Sequence, residues 1–254
     1  CFELEGQTFH VPTNWLGRHA LHGGIVGTGQ KIWTIGALAE DSLRLDLVLP
    51  DGDMGFPGEM HVNACFTLSG DGDLTIEIKA QTDTPSPCSF AHHGYFNLDG
   101  SADVTKYLLQ INSETYLPVD NDLIPTGEIA KVEGTQFDFR TARELGTNGI
   151  DHNFCLSSEQ LPLRPIAELS STKSGVTMGV ETTEPGLQIY DGSYIPKSGL
   201  PGLEERRYGP FGGIAMETQG WPDAPNHVDF PSAILHPGDT YTHQTRYRFR
   251  QEPN

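Results

Sequence analysis

The chain has 254 residues, 36% of them hydrophobic and 20% charged, a size and apolar content that exclude disorder and fit one domain with a large core. Its 34 Asp and Glu against 16 Lys and Arg leave a net charge of −18, so phosphate backbones and anionic membrane surfaces are repelled and a neutral ligand is expected instead. The 29 Gly and 18 Pro point to many short strands and turns rather than long helices.

From the first residues, Phe2-Glu3-Leu4-Glu5-Gly6-Gln7-Thr8-Phe9 alternates apolar and polar positions around a glycine, which predicts a β-hairpin. A loop follows from Asn14 to Gly24, in which His22 precedes two glycines that let backbone approach a ligand closely. Gly27-Thr28-Gly29 lacks the third glycine and the following helix of a dinucleotide fingerprint. Leu43 to Leu49 alternates as a strand and stops at Pro50-Asp51-Gly52-Asp53; Asp51 and Asp53 lack the glycine and the distal Glu of a calcium loop. Met60 to Leu68 and Leu74 to Lys79 predict two further strands joined by a connection containing Gly70 and Gly72.

The stretch Ser89-Phe-Ala-His-His-Gly-Tyr-Phe-Asn-Leu-Asp-Gly100 concentrates polar and aromatic side chains between turn signals. Neighbours on a strand point to opposite faces, so one of His92 and His93 is expected to face a cleft and the other the core. Further strands are expected over Tyr107 to Asn112, Thr115 to Val119 and Lys131 to Phe139, with a single helical turn over Thr141 to Leu145. Asp151 and His152 are adjacent and face opposite ways on a strand, which makes them poor joint ligands; no metal is expected. Val176 to Thr183, Leu187 to Tyr190 and Tyr241 to Arg250 continue the strand pattern. The fold class is therefore all-β, as one domain over residues 1–254.

Glu217 closes a short apolar run before a loop rich in Gly and Pro, a place where a rigid strand can present a catalytic carboxylate; the alternative is a solvated strand-end acid. Trp221, in that loop, either offers a face to a sugar ring or packs on the core. Cys1, Cys65, Cys88 and Cys155 form no C-x-x-C pair and are read as buried free thiols, which favours a reducing, cytoplasmic compartment. The sequence opens at Cys1 with neither an initiator Met nor an apolar leader, so an upstream stretch is expected. No G-x-S-x-G, Walker loop or H-E-x-x-H occurs, which leaves imidazole and carboxylate as the groups for proton transfer on a neutral substrate.

Several motifs in order carry a family resemblance. His93-Gly94-Tyr95-Phe96-Asn97-Leu98 resembles the N-H-x-Y-F-N-L element of the aldose 1-epimerases, or galactose mutarotases. Leu21-His22-Gly23-Gly24 resembles their first histidine loop, and Gly149 to Phe154 their D-H-N/P-F element. Thr182 to Tyr190 is similar to their T-T-x-P-G-x-Q-x-Y strand, Glu217-Thr218-Gln219 to their E-T-Q element, and the run from Phe230 to Gly238 to their closing segment.

The resemblance implies a large antiparallel β-sandwich, a galactose mutarotase-like supersandwich, that interconverts the α and β anomers of galactose, glucose or a related aldose without cofactor. It implies Glu217 as the general base at the C1 hydroxyl, His93 as the general acid at ring oxygen O5, and His22, Asp151 and Gln188 as sugar-binding residues. A His near its ordinary pKa of about 6.5 can be protonated while a nearby Glu is ionised at neutral pH, which suits that assignment. The partner is a monosaccharide, with monomer or homodimer both open. Two positions depart from the pattern: His92 stands where the family has Asn, and the family's N-terminal G-R-x-x-N-R-I element has no counterpart in these residues, so initial strands are expected to be lacking. A sugar-binding module without turnover, and a glycoside hydrolase using Asp151 and Glu217, are the competing readings.

Overall fold

The computed structural model describes residues 1–251, and its chain folds almost wholly into antiparallel strands and turns. It divides into two compact units, each assembled from three separate stretches of sequence. The first comprises Cys1–Ser69, Leu74–Phe90 and Asp223–Gln244; the second comprises Gly70–Asp73, Ala91–Pro222 and the chain from Thr245 onward.

In the first unit the hairpin Phe2–Leu4 and Gln7–Phe9 forms as expected, with Phe2 stacked on Phe9 at 5.3 Å and on Phe56 at 5.9 Å. Strands Thr34–Leu38, Ser42–Leu49, Met60–Leu68 and Asp73–Thr82 pair in sequence order as an antiparallel meander. Met60, Val62 and Ala64 are buried while the intervening residues are not, the period of two that a half-buried strand requires.

The second unit stacks two sheets. One runs Ala130–Lys131, Thr115–Tyr116, Asp151–Cys155, Gly186–Tyr190, Ile214–Gln219, Tyr95–Phe96, with every neighbouring pair antiparallel. The other runs Arg143–Glu144, Leu108–Ile111, Arg164–Ser170, Val176–Thr182 and the part of strand Tyr241–Gln251 from Thr245 on. Tyr247, fully buried, lies between them, its ring 4.8 Å from Phe96 and its hydroxyl donating to the Met216 carbonyl at 3.3 Å. At about 25 cal/mol per Å² of apolar surface, large buried side chains such as Leu109, Phe154, Leu169 and Met178 supply the main favourable energy of this core.

Two expected elements are corrected. Thr141 to Leu145 makes no helical turn; Arg143–Glu144 is a short strand paired with Leu108–Leu109, because Arg143 reaches the Asp138 carbonyl at 2.9 Å and lies over the Phe139 ring at 4.1 Å. Lys131 to Phe139 is a strand only at Ala130–Lys131 and then turns, with Thr135 donating to the Val132 carbonyl at 2.7 Å and so competing with a ladder. Cys88 and Cys155 are buried free thiols as expected, whereas Cys1 is exposed and Cys65 partly so. No helix among the described residues is long and apolar enough to cross a membrane.

Candidate active site

Strand parity and register build the site. Gln188 stands opposite Asn153 on one side and Glu217 on the other, while Asp151 faces Tyr190, and Tyr190 and Tyr95 both face Ala215. Residues directly opposite, and those two apart along a strand, share a face. Asp151, Gln188, Tyr190, Glu217 and Tyr95 therefore occupy one face, and His152, Ile189 and Met216 the other. The alternation Asp-His-Asn-Phe, Leu-Gln-Ile-Tyr and Met-Glu-Thr is the sequence trace of that division.

His152 serves the apolar side as parity requires, with its ring 4.3 Å from Phe137, and burial lowers its pKa to about 4. Gln188 donates to Asp151 Oδ1 at 2.7 Å, which fixes the carboxylate beside the base strand. Burial raises the Asp151 pKa; that hydrogen bond opposes the rise and the Asp191 charge adds to it.

His93 and Glu217 meet, with Nε2 3.5 Å from Oε1. His92 and His93 precede the two-residue strand Tyr95–Phe96 rather than lying on it, yet they do part: His93 goes to Glu217 and His92 to Tyr247. Glu217 is buried, and that burial pushes its carboxyl up to about 8, with the Asp151 charge adding to the rise. Burial lowers His93 below its ordinary 6.5. Burial penalises both charged forms, and so works against an imidazolium beside a carboxylate at neutral pH. Moving one proton from a neutral Glu217 to a neutral His93 gives the charged pair with the proton count unchanged.

Tyr95 and Tyr190 were not singled out from the sequence. Tyr95 lies 5.2 Å from the His93 ring and 6.1 Å from Tyr190, half-exposed, and burial together with the charges of Tyr190, Glu217 and Asp151 pushes its hydroxyl up to about 12. It stays a donor at neutral pH. Its position two residues after His93, like that of Tyr190 two after Gln188, was the available signal.

Trp221 packs on the core, its Nε1 donating to the Pro185 carbonyl at 2.9 Å. His22 belongs to the first unit, exposed and in left-handed backbone at φ 53°. Asn14 holds its loop by donating to the Leu21 and Gly24 carbonyls, both at 2.9 Å, and by accepting from the Leu21 N–H at 2.7 Å. Gly27 is required there, since a Cβ would sit 1.9 Å from the His22 carbonyl oxygen. Among the described residues no group of three or more His, Cys, Asp and Glu side chains could hold a metal ion.

A family model described as aldose 1-epimerase matches residues 1–248. The galactose mutarotase of Mus musculus is 40% identical over 257 residues, covering 98% of this chain and 74% of the relative. The aldose 1-epimerase of Haemophilus influenzae is 34% identical over 264 residues, covering 98% and 76%. The crystal structure of an aldose epimerase homologue from C. elegans superposes with a TM-score of 0.92 at 28% identity, covering 99% of this chain and 78% of that one, and thus carries the same mutarotase-like all-β fold. With the match running nearly end to end and the motifs that hold Tyr95, Asp151, Gln188 and Glu217 on one sheet, the chain belongs to the aldose 1-epimerase family.

Proposed function

We propose that the His93–Glu217 pair interconverts the α and β anomers of a free aldohexose such as galactose or glucose. The observation that carries this reading is the 3.5 Å approach of His93 Nε2 to Glu217 Oε1 beside the Asp151–Gln188 pair. Glu217, as carboxylate, takes the C1 hydroxyl proton; the C1–O5 bond breaks; His93 delivers its proton to O5. The open-chain aldehyde turns about C1–C2, and the steps run backward on the other face, returning both protons. Each proton transfer contributes roughly 100- to 10,000-fold when the groups are well placed. Asp151 and Gln188 accept and donate to sugar hydroxyls; for His22 a sugar contact is proposed from the resemblance of its Leu21-His22-Gly23-Gly24 loop alone. A neutral substrate and product suit the net charge of −18.

Residues 1–254 are read as one domain, a reading supported by a single family match over residues 1–248. The test is polarimetry: fresh α-D-galactose and α-D-glucose should mutarotate faster with the protein than in buffer, and Glu217→Gln or His93→Ala should lose roughly 100-fold or more of that acceleration. Wild type no faster than buffer, or variants as fast as wild type, would refute it. Sugar binding by calorimetry without acceleration would select a binding module instead.

A further inference from the structure

Behind the proton-transfer pair lies a short polar chain. His92 Nδ1 is 3.3 Å from the Tyr247 hydroxyl, and that hydroxyl donates to the Met216 carbonyl at 3.3 Å. A tyrosine hydroxyl has one proton. Given to Met216, it leaves the oxygen as acceptor for an N–H on Nδ1. His92, next to the proposed acid, is thus joined through one buried side chain to the peptide unit just before the proposed base.

Packing repeats the link. The His92 ring folds back under Gly94, where a Cβ would lie 2.4 Å from its Cε1, so the ring and the backbone on the far side of His93 define each other. The ring is also 5.7 Å from Tyr247 and 6.4 Å edge-on from Phe96, and Phe96 opposes Ile214 on the base strand. His93 itself precedes the strand, and the ladder proper begins only at Tyr95. The segment that bears the acid therefore depends on contacts outside the ladder.

We propose that His92 is a positioning residue, which through Tyr247 and the Met216 carbonyl sets the separation between His93 and Glu217. It touches no substrate. The inference rests on the anomer-interconverting reading for its kinetic consequence and on geometry alone for its structural one. A misplacement of about 1 Å in a catalytic group can cost about 100-fold, so a looser His93 should show in kcat while sugar binding holds.

The test is a double-mutant cycle. His92→Phe keeps the ring and removes Nδ1; Tyr247→Phe removes the hydroxyl. Each should lower kcat for galactose about 100-fold with KM changed less than about twofold, and the double variant should fall no further than the worse single one. His92→Asn, whose amide nitrogen can stand where Nδ1 stands, should restore most of the loss. In a crystal structure of His92→Phe, His93 Nε2 and Glu217 Oε1 should lie about 1 Å farther apart than 3.5 Å. Unchanged kcat in His92→Phe, additive losses in the double variant, or no rescue by Asn would overturn the inference. If wild type fails to accelerate mutarotation, the proposed function falls and the crystal separation still decides: unchanged, it overturns the positioning role; lengthened, it supports it.

Discussion

Raising the pH across the His93–Glu217 pair is the sharpest perturbation of this site. Glu217 is 6% exposed, and burial first, then the Asp151 charge, push its carboxyl from 4.5 to about 8. That difference of about 3.5 pH units, at about 1.36 kcal/mol each, disfavours the ionised form by about 5 kcal/mol. On His93 burial acts in the opposite direction, lowering it from 6.5 because it penalises the imidazolium. The pair therefore carries a single transferable proton from below pH 6.5 up to about 8. Ordinary groups would carry it only between about 4.3 and 6.5. The assay is the initial rate of optical rotation against pH, corrected for buffer catalysis, plotted as kcat/KM so that it reports the free protein. It should be level through neutrality and fall about tenfold per pH unit above about 8. A maximum confined below pH 6.5, with activity already falling through neutrality, would refute burial as the force that sets the charge state of the pair.

Three further outcomes are expected. Gln188→Leu removes the 2.7 Å donor to Asp151 and should raise KM about tenfold in steady-state mutarotation, the cost of losing one hydrogen bond to a charged group. Gly186→Ala places a Cβ 2.5 Å from Asn153 Oδ1 and 3.0 Å from the Gln219 carbonyl, so it should destabilise by about 1–3 kcal/mol, seen as a lower Tm. His243, 1% exposed, is lowered by burial from 6.5 to about 4. The unfolded chain then binds the extra proton first, so stability is full above pH 6.5 and is lost as pH falls toward 4, by up to about 3 kcal/mol. His243→Phe should flatten the denaturation midpoint across that window in urea titrations.

Much of the fold is legible because strand periodicity is local. Met60 to Leu68 alternates in sequence and forms a strand with those bounds, and the hairpin at Phe2 follows from a glycine turn between alternating residues. Arg143–Glu144 fails for the opposite reason: a two-residue strand is defined by its partner at Leu108–Leu109, and two residues have no period to read. The residues from Val132 to Phe139 read as a strand but are decided by Thr135 hydrogen bonds that no propensity records.

At the site, the order of the motifs and the parity within each strand were set by the sequence: Asp151, Gln188 and Glu217 each directly follow a buried apolar residue, Ile150, Leu187 and Met216. Which of these meet was decided by register, since Gln188 opposite Glu217 depends on the pairing of two strands nearly thirty residues apart. Charge state was decided only by tertiary burial. A glutamate and a histidine carry their ordinary pKa values along any chain, and it is their removal from water, together with the nearby Asp151, that moves the shared proton onto Glu217.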